Sequence, residues 1–595
     1  MTRPAVGGEL ARGTAAARPG GTLLVTNAAA GETQVRRTAA DLLVVGGRVF
    51  RGTLPGEPIP VGSAAGPVPP GSPTAVAVRH GRIAFVGDDA SALRDWRAPR
   101  TRVIEARGGL VMAGFDDAHT HLLSGARSLD RVNLFGLETL DGILGAIRRW
   151  AAERPDAPWV LGRGWFYSAF PGALPTRAIL DAAVPDRPAY LGCYDGHTGW
   201  ANSRALALAG ISAATPDPPL GVIVRDPASG EPTGALKEAA MDLLLAVVPT
   251  PTSDEYRAAV RRAVTAMHAA GITAAQDAWS EPELFPLARA MRDAGELPLR
   301  LRLAPPMEPG GSIADWHRRL DGYDEAVATL PGDAWLSSGI LKAMADGVVE
   351  SRTAALLAPY ADDPTTSGAP NWEAHDLAAH VAAASGRGWQ LEIHAIGDAA
   401  VRTALDAFEQ AGDAATRRHR VEHIETIDPA DIGRFGRLGA VASMQPFHAD
   451  PSPGQIPVWA DALGPERASR GWAWTSILGS GGVLAFGSDW PVVPFDPLVA
   501  VHGAVTRQTP RGEPPDGWLP SERLPLPAAL SACTLGSAWA AHAERRRGTI
   551  SAGLDADLVI LDRDLLAEVP SAIIGTGVVA TVVGGRLVHE GKGAG

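Results

Sequence analysis

The residue types best able to do chemistry in this chain stand at the ends of apolar runs. In Gly114-Phe115-Asp116-Asp117-Ala118-His119-Thr120-His121 two histidines lie two positions apart. On an extended segment both point to one face, so both rings can reach a single ion. Taken alone, the pair reads equally well as two surface histidines. Three further runs end in a ligand-type residue: Leu391-Glu392-Ile393-His394, Arg420-Val421-Glu422-His423 and Ala485-Phe486-Gly487-Ser488-Asp489. Any one of them fits a satisfied core histidine or a strand-end carboxylate. Four in a chain of alternating strands and helices point to convergence, because barrel strands deliver their C-terminal residues to a common face.

Lys342 closes another such run, Ile340-Leu341-Lys342, in a chain whose 54 basic residues include only three lysines, Lys237, Lys342 and Lys592. A buried lysine is costly when charged and is expected to be neutral, paired or modified. A neutral amine can take up CO₂ as a carbamate, an anionic oxygen ligand able to bridge two metal ions. Arginine stays protonated and cannot. The alternative is a snorkelling lysine, or one in a salt bridge with Asp346.

The elements that must position these residues are legible as texture. Short apolar runs alternate with helical stretches through the middle of the chain, the signature of βα units. Strands are expected at Leu110–Ala113, Ile272–Ala275, Leu299–Leu303, Ile340–Ala343, Gln390–His394 and Leu484–Gly487, and helices at Glu255–Ala270, His375–Ala384 and Ala399–Gln410. Both ends are β-rich: Leu42–Val45, Arg48–Phe50, Ala75–Val78 and Ile83–Val86 on one side, Leu558–Leu561, Val578–Val583 and Leu587–Val588 on the other. The fold expected is α/β, a (β/α)₈ TIM-type barrel over 109–545. A small β-sandwich domain is expected from 41–108 plus 546–595, and an inserted subdomain at about 130–260. Residues 1–40, rich in Ala, Arg, Gly and Thr, read as a disordered tail.

Composition narrows the function classes. At 595 residues, 46% hydrophobic and 20% charged, the chain can bury a large core. A net charge of −12 argues against a nucleic-acid partner. Two cysteines exclude a disulfide scaffold and a cysteine-rich zinc module. No apolar run has the roughly 18 residues of a membrane span. A soluble, cytoplasmic protein acting on a small molecule is expected, and a homodimer on base rates.

The ordered set His119, His121, Lys342, His394, His423 and Asp489 resembles the metal-dependent amidohydrolase superfamily, in its branch of YtcJ-like proteins and N-substituted formamide deformylases. The similarity extends through Asp195-Gly196-His197-Thr198-Gly199-Trp200, the Lys-x-x-x-Asp-Gly stretch at 342–347, Gly487-Ser488-Asp489-Trp490-Pro491 and Gly553-Leu554-Asp555-Ala556-Asp557. Before the paired histidines, Ala113-Gly114-Phe115-Asp116-Asp117 stands where Pro-Gly-Phe-Ile-Asp is common. The resemblance implies two divalent ions, one held by His119 and His121, the other by His394 and His423, with carboxylated Lys342 as the bridge. Asp489 would bind the first ion and act as general base. Zinc suits such a site best; iron, manganese or cobalt also fit, and occupancy by one ion stays open. Around this centre stand candidates for substrate contact: Trp165, Asp195, His197, Trp200, Asp346, Arg352 and His448. The tryptophans read equally as ordinary packing, and Arg352 as the salt-bridge partner of Glu350 or Asp346. His80, His268 and His542 read as structural. The reaction implied is hydrolysis of an amide, N-formyl or N-acyl C–N bond. Deamination or cyclic-amide opening on the same centre, and a non-catalytic barrel that only binds a small molecule, are the competing readings.

Overall fold

The computed structural model describes residues 39–57, 65–170, 174–194, 196, 198–219, 221–280, 283–452 and 456–591. All but the last two residues of the expected tail, and both Asp195 and His197, lie outside these. Eight parallel strands carry the centre of the fold: β1 (Phe115–Thr120), β2 (Ile272–Asp277), β3 (Arg300–Leu303), β4 (Ile340–Met344), β5 (Gln390–Ala395), β6 (Arg420–His423), β7 (Val441–Met444) and β8 (Val483–Phe486). Strands β1 to β3 pair in order, as do β4 to β8. Two joints close the ring. Lys342 N–H donates to Pro305 O at 3.0 Å between the third and fourth strands, and Asp489 N–H donates to His119 O at 2.6 Å where the last strand meets the first. This is a TIM-type α/β barrel.

Strand alternation explains how it is held. In β5 the outward Leu391, Ile393 and Ala395 join the large apolar cluster under the surrounding helices. The alternate positions, Gln390 and Glu392, are buried too. Barrel interiors are usually filled by branched aliphatics. Here they are filled by a polar network: Arg302 donates to Gln390, and Arg420 donates to Gln276, Glu422 and Ser443. The three helices expected from periodicity form at Ser253–Ala269, Ala374–Gly386 and Asp398–Ala411. The first begins on a capping box between Thr252 and Glu255.

One expected barrel strand lies elsewhere. Leu110–Ala113 pairs antiparallel with Leu558–Leu561, in a five-stranded sheet that also takes in Arg48–Val49, Val578–Val583 and Arg586–Glu590. The chain then turns into β1 at Gly114, where a Cβ would lie 2.1 Å from the Thr273 side chain, a space only glycine tolerates. A four-stranded sheet of Arg82–Gly87, Ala75–Arg79, Leu42–Val45 and Arg102–Glu105 shares one apolar cluster with it, including Val44, Val76, Ile83, Val111, Ile560 and Val582.

Between β1 and β2 the chain builds a separate six-stranded sheet, from Val132–Asn133 to Pro232–Glu238, with its own apolar clusters around Trp165 and Leu191 and around Tyr190 and Leu236. The helix Ser253–Ala269 that follows buries Tyr256, Val260, Val264 and Met267 in the barrel cluster, so it belongs to the barrel. Among the described residues no helix is long and apolar enough to cross a membrane.

Candidate metal centre

Six strands and the turns after them bring five histidines, a lysine and an aspartate together. His119 is the penultimate residue of β1 and His121 follows the strand, Lys342 lies in β4, His394 in β5, and His423 ends β6. Asp489 stands three residues past β8, and His448 in a short 3₁₀ turn after β7. The ring centroids of His119 and His423 are 4.9 Å apart, those of His394 and His423 are 4.5 Å apart, and His448 stacks on His423 at 5.8 Å. Lys342 Nζ lies 3.4 Å from His119 Nε2. Asp489 Oδ1 is 3.0 Å from His121 Nε2 and 3.6 Å from His119 Nε2, and Oδ2 is 3.5 Å from His448 Nε2.

Hydrogen bonds at the far side of each ring decide which nitrogen faces the group. His119 Nδ1 is 2.5 Å from Glu422 Oε2, and a carboxylate only accepts, so Nδ1 carries the proton and Nε2 the lone pair. His423 Nδ1 meets Gln445 Oε1 at 2.8 Å, which leaves its Nε2 available. His394 Nε2 donates to Gly347 O at 3.1 Å, which leaves its Nδ1. Such outer partners fix tautomer and ring orientation in metal sites.

The electrostatics run the same way. Burial holds His119 down at about 4 and His394 at about 3, and holds His423 well below its usual value, with Lys342 or neighbouring rings adding to the effect. All three rings are neutral, the metal-binding form. Burial lowers the Lys342 amine against the pull of Glu392, Glu422 and Asp489. Burial opposes ionisation of Asp489, and the His121 ring, with Nε2 3.0 Å from Oδ1, leads the influences that keep the carboxyl well below its usual range. The backbone is strained here: φ is 72° at His423, 51° at Ile424 and 59° at Asp489. A β-branched residue in that region is held there by its surroundings, and such strain clusters at functional sites.

The donor set fits a cation. His119, His121 and Asp489 offer ligand atoms within 4.8 Å of one another, and so do His423, His448 and Asp489. Asp489 Oδ1 is buried and, despite its closeness to His121, makes no hydrogen bond of proper alignment. A buried carboxylate oxygen without a donor is costly, and a cation between the rings removes that cost.

Other residues singled out in the sequence fall elsewhere. Asp346 is buried and accepts N–H groups from Ala355, Ile396 and Gly397 at 2.9–3.0 Å, and it lies 3.5 Å from His394 Nε2. It organises the loops after β4 and β5, and it is not the salt-bridge partner of Lys342. Burial raises its carboxyl to about 7 against those three donors. The Arg352 guanidinium is taken by Asp362 and by the carbonyls of Val349 and Glu350, so its partner is neither the Glu350 nor the Asp346 carboxylate. Trp165 and Trp200 are fully buried in the inserted sheet's core, with indole N–H groups donating to Leu191 O and Thr176 O; packing is what they do. Residues missed from the sequence are Glu422, Gln445, Arg420 and Glu392. The signal for Glu392 is a carboxylate inside an apolar strand run; Arg420 and Glu422 flank Val421 in β6, and Gln445 directly follows β7.

A cavity of about 220 Å³ opens beside His121, lined by Leu123, Ser124, Asp277, Trp279 and Met344. The Asp277 carboxylate is already engaged there, accepting from Leu122 N–H at 2.6 Å and Ser280 Oγ at 2.7 Å.

A sequence model of the amidohydrolase family matches residues 102–589. The chain is similar to YtcJ of Bacillus subtilis strain 168, at 33% identity over 525 residues, covering 87% of this chain and 96% of that one. It is also similar to the N-substituted formamide deformylase of Arthrobacter pascens, at 31% identity over 546 residues, covering 87% and 95%. Among solved structures, an uncharacterised metal-dependent hydrolase of Pyrococcus furiosus superposes with a TM-score of 0.68 at 25% identity, over 89% of this chain and 100% of that chain.

Proposed function

The chain belongs to the amidohydrolase family, and from that premise we propose that it cleaves the C–N bond of a small uncharged N-formyl or N-acyl amine. Family and structural relatives support a metal-dependent hydrolase acting on C–N bonds. The observation that carries the finer reading is the convergence of ring lone pairs on a buried Asp489 oxygen that has no hydrogen bond.

His119, His121 and Asp489 would hold one divalent ion, and His394 and His423 the other, with zinc the best match to such donors. The ions, when bound, supply Lewis acidity toward a carbonyl and toward water. Burial disfavours the charged form of the Lys342 amine; its Nζ would add to CO₂ with loss of one proton, and the resulting carbamate would offer the ions an anionic oxygen ligand. Asp489, held ionised, takes a proton from the attacking water and returns it to the leaving nitrogen. Leu123, Trp279 and Met344 offer apolar walls for the amine substituent. The two end sheets, sharing one core, fit a β-sandwich unit that braces the barrel.

The test is formate or carboxylate release from a panel of N-formyl and N-acyl amines, run beside adenine and cytosine. Metal-dependent acid release supports the reading. Turnover confined to ammonia release from the bases replaces it with a deaminase, and no turnover of either class by the metal-loaded protein refutes it.

A further inference from the structure

We infer that Glu422 is a positioning residue that sets the tautomer of His119, and that a carboxylate is the only side chain able to do so here. The inference rests on the metal-centre reading. Glu422 is fully buried, and each of its oxygens has a different donor: Oε1 accepts from Arg420 Nε at 2.8 Å, and Oε2 accepts from His119 Nδ1 at 2.5 Å. Arg420 is itself pinned, with Nη1 donating to Gln276 Oε1 at 2.7 Å and Nη2 to Ala118 O at 2.6 Å and Ser443 Oγ at 2.9 Å. The guanidinium cannot rotate away without abandoning buried acceptors, and it has no lone pair to accept with. His119 Nε2 meanwhile faces Lys342 Nζ at 3.4 Å and Asp489 Oδ1 at 3.6 Å.

This arrangement makes the near-isosteric replacement the harmful one. A glutamine has one acceptor and one donor. Arg420 can only donate, so it claims the amide oxygen, and the amide NH₂ is turned against His119 Nδ1. His119 must then accept at Nδ1 and carry its proton on Nε2, the nitrogen that should ligate. Aspartate is one methylene shorter but keeps two acceptors. The order of metal affinity is therefore Glu422, then Glu422→Asp, then Glu422→Gln. A role in shape alone gives the reverse order for the two variants.

The experiment measures Zn²⁺ and Co²⁺ dissociation constants by competition with a chromophoric chelator, for wild type, Glu422→Asp and Glu422→Gln. Thermal melts check that each is folded. A loss of about 10–100-fold in Glu422→Gln, with a smaller loss in Glu422→Asp, is expected. Neutron diffraction from metal-free wild-type crystals reads the tautomer without any variant, and the proton is expected on Nδ1. A proton on Nε2, or Glu422→Gln binding metal as tightly as wild type or better than Glu422→Asp, overturns the inference. A wild type that binds no metal instead overturns the metal-centre reading.

Discussion

Replacing Asp489 by asparagine changes little except one oxygen. The residue sits at φ 59°, a conformation asparagine also tolerates. Its backbone bonds, Asp489 N–H to His119 O at 2.6 Å and Val492 N–H to Asp489 O at 2.8 Å, do not involve the side chain. The joint between β8 and β1 therefore survives. What is lost is an ionised group 3.0 Å from His121 Nε2, able both to ligate and to take a proton. A positioned general base contributes about 10²–10⁴-fold, or roughly 2.7–5.4 kcal/mol of transition-state stabilisation. The assay is kcat/KM for acid release from an N-formyl amine, with metal content by plasma mass spectrometry and unfolding by calorimetry on the same preparation. The expected outcome is a loss of at least about a hundredfold with the melting transition retained. Asp489→Asn protein that keeps its metal and works within about tenfold of wild type would refute the assignment of base.

Three further outcomes follow from the geometry. Protein stripped by a chelator at low pH and refilled with Zn²⁺ should regain activity only when bicarbonate is supplied, because Lys342 needs CO₂ to become a bridge; full recovery in CO₂-free buffer removes the carbamate. Gly487→Ala would set a Cβ 2.4 Å from His119 N and 2.7 Å from His119 Cβ, so a destabilisation of about 1–3 kcal/mol from overpacking, read as a lower melting temperature, and weaker metal binding are expected. An unchanged melt counts against the close packing of β8 on β1. His268, buried away from the site and bonded to Pro298 O at 3.0 Å, is held by burial at about 4, below its usual 6.5. The unfolded chain takes up its proton first, so the stability His268 gives at neutral pH is lost as pH falls from 6.5 toward 4. Between pH 7.5 and 4.5, urea unfolding of wild type should lose up to about 3 kcal/mol more than that of His268→Gln; equal losses contradict it.

Much of this was legible because the ligand residues stand at the C-terminal ends of strands, and because Lys342, one of only three lysines, stands out at the end of an apolar run in an arginine-rich chain. The partners that orient the ligands were less visible. Glu422 and Arg420 lie two apart in one short strand, but what they do depends on His119 and Gln276, more than a hundred residues away. No local pattern carries that information. A short apolar run such as Leu110–Ala113 suits any buried strand, and only its pairing with Leu558–Leu561 decides its sheet. Trp165 and Trp200 are large aromatics near a motif, yet each satisfies its indole N–H inside the inserted sheet. His448 was placed after the correct strand, and its stacking on His423 emerged only from the three-dimensional arrangement.

The central claim is that these residues hold a pair of ions bridged through Lys342. The most direct measurement is metal content per chain, on protein purified without chelator, for wild type and Lys342→Ala side by side. The account predicts about two ions in wild type, falling to about one or none in the variant. Wild type that stays empty after divalent ions are supplied, or a Lys342→Ala protein that keeps the full complement, would contradict it.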